Sequence, residues 1–113
     1  MAKYLISFPS GVMDIPDGQF QAVADAAHAI EAEAKAAGVW VFGGGIDETV
    51  APVMVAGDGT VTPGTYPQTR QLEGGYTVVE VPTRDDALVW AAKIAVACRC
   101  AQEVRRFQDD PDS

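Results

Sequence analysis

The sequence predicts an α+β fold: one antiparallel sheet with two helices packed on the same face. Three observations lead there. The chain has 113 residues, enough for one domain and one core. Its apolar periodicity alternates in the order strand, helix, strand with a hairpin, strand, helix, strand. The two β-α-β halves are short, which suits an antiparallel sheet with split β-α-β pairing.

Each element has its own signal. Residues 3–8 (Lys-Tyr-Leu-Ile-Ser-Phe) read as a short strand, stopped by Pro9-Ser10-Gly11. Asp17 is placed as the N-cap of a long helix running to about Ala37. In it Phe20, Val23, Ala27, Ile30, Ala34 and Ala37 recur at steps of three or four, giving one thin apolar stripe that lets the helix lie close to a sheet. Gly38 suits the left-handed position that ends a helix. Val39-Trp40-Val41-Phe42 reads as a buried strand, broken or bent by Gly43-Gly44-Gly45. Pro52 to Val55 and Thr60 to Thr62 form a hairpin about the Asp58-Gly59 turn. A polar loop carries Gly64 and Pro67, and Gly74-Gly75 leads into a strong strand over 76–81. Thr83, with Asp86 three residues later, makes a capping box. Behind it Ala87, Trp90, Ala91 and Ile94 form the apolar face of a helix ending near Ala97. Cys98 to Phe107 reads as the last strand, and 109–113 as a frayed acidic tail after a single domain over 1–108. The whole is a ferredoxin-like βαββαβ chain. Its second sheet face is left bare, and a second copy packed face to face is the economical cover.

Charge narrows the function classes. Sixteen acidic against eight basic residues give a net charge of −8. Only Arg105 and Arg106 among the cations are adjacent, so a nucleic-acid partner is not expected. No run approaches the roughly 20 apolar residues that span a bilayer, and the N-terminus does not read as a secretory signal. Cys98 and Cys100 are expected as reduced, partly buried thiols in a cytoplasmic protein.

The segment Thr62-Pro63-Gly64-Thr65-Tyr66-Pro67-Gln68-Thr69-Arg70-Gln71-Leu72-Glu73-Gly74-Gly75 resembles the YCII-related family, in its DGPF-domain branch. Gly64, Thr69, Gly74 and Gly75 match the pattern there, and Tyr66 and Arg70 are conservative replacements. Pro63 stands where the family usually has Asp, and Thr65 where it has Pro. The likeness extends to Asp85-Asp86-Ala87-Leu88-Val89-Trp90-Ala91, to Glu103-Val104-Arg105 and to Ala36-Ala37-Gly38-Val39. It implies a dimeric α+β barrel. Some relatives in the wider superfamily are small enzymes with a His-Asp pair, including a dehydrochlorinase-type activity on a chlorinated hydroquinone. Some DGPF members accompany extracytoplasmic-function sigma factors.

His28 is the only histidine, so His-based proton transfer must use it. It falls at the edge of the apolar stripe, as a half-exposed surface histidine or as a site residue. Asp47 and Glu48 follow the triple glycine and are the carboxylates placed to approach a cleft, or are plain loop residues. Gly44, within that glycine run, permits close approach of a ligand or marks a bend. Tyr66 and Arg70 suit a small carboxylate or phenolate ligand, or else pack and pair at a dimer interface. No set of metal ligands and no cofactor motif is recognisable. The expected function is a homodimer binding a small organic molecule, with His28 and Asp47 for proton transfer and Tyr66, Arg70 and Gly44 for binding. A non-catalytic regulatory or interaction module is the alternative.

Overall fold

The computed structural model describes residues 1–112. Strands β1 (Ala2–Pro9), β2 (Trp40–Gly45), β5 (Gly74–Val81) and β6 (Glu103–Arg106) form a sheet in the order β2-β5-β1-β6, every neighbouring pair antiparallel. Helices α1 (Phe20–Ala36) and α2 (Arg84–Cys98) complete a ferredoxin-like βαββαβ arrangement. Between β2 and β5 the chain makes an excursion. It contains β3 (Val53–Val55), β4 (Val61–Pro63) and one 3₁₀ turn at Pro67–Thr69.

Alternation along β1 sorts the side chains. Ala2, Tyr4 and Ile6 face the helices, and their direct partners Val81, Val79 and Thr77 on β5 face the same way. With Ala87, Ala91, Ile94 and Cys98 of α2 they build the core, in which Ile6, Val79 and Val81 are fully buried. Leu5, Ser7, Val78 and Tyr76 point to the other face, together with Glu103 and Arg105 of β6.

Helix α2 starts as its sequence dictates. Thr83 Oγ1 accepts the Asp86 backbone N–H at 3.2 Å, and the Thr83 N–H donates to Asp86 Oδ2 at 3.1 Å. It runs further than expected. Cys98 is its last residue, not the first of a strand, because the sheet-facing positions Ile94, Ala97 and Cys98 stay buried in helical register. Arg99 then reverses the chain at φ 58°, and β6 is confined to Glu103–Arg106.

Helix α1 corrects a second expectation. Asp17 is not its N-cap. Gly18 turns at φ 80°, the Gln19 N–H closes a turn onto the Pro16 carbonyl at 3.1 Å, and the helix begins at Phe20 with no side-chain cap. Its end follows the expected form. Gly38 is left-handed, its N–H bonds the Lys35 carbonyl, and the Val39 N–H reaches the Ala34 carbonyl at 3.1 Å.

The expected apolar stripe of α1 is only partly used. Val23 and Ala34 are buried, but Phe20 is 71% exposed. The helix packs mainly on α2, with Ala27 and Ile30 half-buried against the core, and its main backbone approach to the sheet is along β2; a gap opens between α1 and the β2–β5 edge. Strand β2 also differs from its reading. It is an edge strand with Val41 and Phe42 exposed, and Trp40 and Trp90 are half-buried. It continues through the three glycines. The register irregularity falls earlier, between Trp40 and Phe42.

Candidate functional site

The gap beside α1 is a cleft of about 740 Å³. Glycine builds its floor. Gly43 pairs with Thr77 and Gly45 with Gly75, so three positions on the helix side of this corner carry no side chain. Aromatic rings occupy the space. A Cβ on Gly43 would stand 2.8 Å from Trp40 Cζ2, and one on Gly75 would stand 2.6 Å from Phe8 Cζ. Trp40 and Phe8 thus pack against bare backbone and line the cleft. The Lys35 ammonium sits over the Trp40 ring at 5.8 Å from its centroid and pairs with Glu31 at 3.4 Å, so Trp40 is held from above by a cation–π contact.

Helix α1 supplies the opposite wall through Phe20, Val23, Ala27, His28 and Glu31, at i, i+3 and i+4 steps along one face. Glu48 stands on the rim. At the inner end is Cys98. Burial in the core pushes its thiol pKa up, and the neighbouring Cys100 adds to the rise, so the thiol stays protonated at neutral pH and is a poor nucleophile. Both cysteines are free. Among the described residues no group of three or more His, Cys, Asp or Glu side chains is placed to hold a metal ion.

The structure brings together His28 and Gly44, which both line the cleft. His28 is solvent-exposed, at the mouth of the cleft. Asp47, Tyr66 and Arg70 are exposed and are not among the lining residues of their own chain. Asp47 is engaged locally instead. Its Oδ1 accepts the Thr49 hydroxyl at 2.6 Å and the Thr49 N–H at 2.9 Å, and these bonds hold its pKa below the ordinary carboxylate value. The carboxylates that share the cleft with His28 are Glu31 and Glu48. Glu48 was legible as a candidate from its place after the glycines. The aromatic walls were not, since Trp40 and Phe8 read from sequence only as strand apolars. The available signal was the pairing of an aromatic with a glycine on the same strand face.

Fold and site define a class: an α+β domain of ferredoxin-like topology with an apolar cleft between its first helix and a glycine-floored sheet corner. The family model of the YCII-related domain matches residues 12–108, and the chain belongs to that family. No curated protein matches it. Among solved structures it is similar to the 5-chloro-2-hydroxyhydroquinone dehydrochlorinase of Burkholderia phenoliruptrix in complex with 2,5-dihydroxybenzoquinone. That likeness is 15% in identity over 97% of both chains, with a TM-score of 0.49. No helix of the described residues is long and apolar enough to cross a membrane.

Proposed function

We propose that this protein binds a small organic molecule with a flat apolar body in the α1 cleft, with His28 as the group that exchanges a proton with it. One observation carries the reading. The cleft joins a glycine floor and two aromatic walls to a single imidazole, with Glu31 and Glu48 among the same lining residues. A volume of about 740 Å³ suits a small ligand. Trp40 and Phe8, seated on Gly43 and Gly75, offer ring contacts to a planar molecule. An imidazole can take or return a proton near neutral pH, and Glu48 is the cleft carboxylate assigned to orient it, since Glu31 is paired with Lys35. Asp47, already bonded to Thr49, is not assigned this part. Gly44, between the floor positions Gly43 and Gly45, contributes backbone to the cleft lining.

The functional unit in this reading is a pair. The open sheet face presents half-buried Leu5 and Val78 beside Phe42, which is 64% exposed, among the charged Lys3, Glu80, Glu103 and Arg105, and a second copy packed there by two-fold symmetry would bury the apolar three.

Binding is tested with 2-naphthol as the probe, followed by ligand-observed magnetisation transfer and by the imidazole resonances of His28. Transfer to the probe, its loss by about tenfold in Trp40→Ala, and a His28 shift on binding are the expected results. A probe that binds equally well to Trp40→Ala, or leaves the His28 resonances unmoved, refutes the assignment of the cleft.

A further inference from the structure

Two residues that line the α1 cleft already hold an ammonium group, and that group belongs to the protein. Lys35 Nζ lies over the Trp40 ring, 5.8 Å from its centroid, and 3.4 Å from a Glu31 carboxylate oxygen. Trp40 and Glu31 line the cleft, whereas Lys35 does not. The local sequence builds this arrangement. Glu31 and Lys35 stand at i and i+4 in the last turns of α1, and the chain turns at Gly38 to start β2 at Trp40. A ring face and a carboxylate are the two groups that recognise an organic cation. The rest of the lining agrees. Its carboxylates are Glu31 and Glu48, His28 is its one side chain able to carry positive charge, and no lysine or arginine belongs to it. Backbone donors at the glycine corner are engaged: the Ile46 N–H bonds the Gly74 carbonyl at 2.9 Å, and the Ser10 N–H bonds the Glu73 carbonyl at 2.6 Å. An anion in the cleft would meet ring faces and two carboxylates, all of which disfavour it.

We propose that the cleft takes a planar molecule carrying an amine or other organic cation, which replaces the Lys35 ammonium between Trp40 and Glu31. The proposal rests on the assignment of the cleft as a binding site and adds the charge of its ligand. Replacement is easy because the internal ammonium is held lightly. The Lys35 side chain is 58% exposed, and exposed ion pairs and ring contacts are weak. Lys35 can swing into solvent while a ligand cation, fixed by its flat body against the apolar walls, takes both contacts. The molecule holds one other contact of this kind. Lys93 lies over Trp90 at 5.3 Å and pairs with Glu33, and none of these three residues lines the cleft. It is a matched control.

The test titrates the full-length chain with three probes of one ring system, 2-naphthylmethylammonium, 2-naphthol and 2-naphthoate, by ligand-observed magnetisation transfer. The ammonium probe is expected to bind at least about fivefold more tightly than the carboxylate. Glu31→Gln should weaken the ammonium probe about threefold and leave 2-naphthol within about twofold. Lys35→Gln clears the ring and the carboxylate, so it should tighten the ammonium probe about threefold. Lys93→Gln removes the same charge and should change it by less than about twofold. If 2-naphthol binds and the carboxylate probe binds as tightly as the ammonium probe, the cation assignment is overturned and the cleft stands as a site. The same holds if Lys35→Gln and Lys93→Gln act alike. If none of the three probes binds, the cleft assignment falls and this inference falls with it.

Discussion

At the residue scale, the glycines of the β2–β5 corner explain the site. Gly74 and Gly64 both have left-handed φ values, 141° and 105°, but their surroundings differ. A Cβ on Gly74 would collide with the Phe8 carbonyl, whereas one on Gly64 meets nothing within 4 Å. Gly64→Ala therefore incurs backbone strain alone, about 1–3 kcal/mol. Gly74→Ala adds an overlap with backbone that no rotamer can relieve, so its urea midpoint should fall well below that of Gly64→Ala. Equal midpoints would contradict the close approach of β1 to β5 at this corner. The same logic makes Gly43 and Gly75 the seats of Trp40 and Phe8. A glycine run reads from sequence as a break in a strand. It becomes a strand with an aromatic cover only when a neighbouring strand supplies the pairing and a ring fills the empty position.

At the element scale the two helices separate local from long-range control. The N-terminus of α2 is written in four residues, and the observed box between Thr83 and Asp86 follows from them. Thr83→Ala is expected to cost about 1 kcal/mol in thermal or urea unfolding. Asp17 has equal propensity for a cap, yet the left-handed Gly18 lies between it and the helix. Asp17→Ala should change stability by less than about 0.5 kcal/mol. A loss as large as that of Thr83→Ala would restore Asp17 as the cap. The end of α2 shows the opposite case. Cys98 and Cys100 are compatible with a strand, and burial of Ile94, Ala97 and Cys98 against the sheet extends the helix over that segment. The thin stripe of α1 allowed close packing on a sheet, but α1 settles chiefly on α2 and leaves the cleft.

At the scale of the whole molecule, the chain as folded alone is flat, 43 × 42 × 20 Å, with Phe42 exposed at the edge of its open sheet face. On the proposed reading this face meets its copy in a pair. Phe42→Asp, placed opposite Val78 at the exposed edge of the sheet, should shift the sedimentation equilibrium toward monomer at micromolar concentration. The cleft lies on the other side of the sheet corner, so 2-naphthol should still bind. A Phe42→Asp protein as dimeric as the unsubstituted chain would argue against pairing through this face.

The sequence by itself determined the α+β class, the order of elements, the hairpin about Asp58-Gly59, the cap of α2 and the family likeness. These rest on short-range periodicity, on turn and capping residues and on a local motif, all carried by neighbours in the chain. Tertiary structure alone decided which residues converge. Strand order sets β5 between β1 and β2, which lays Trp40 and Phe8 on glycine backbone and opens a cleft beneath α1. The same packing makes His28, Glu31 and Glu48 line one cleft, while Asp47 is bonded to Thr49 and does not line it. Convergence depends on helix tilt, strand register and side-chain volume at positions far apart in the chain, and no local pattern encodes it.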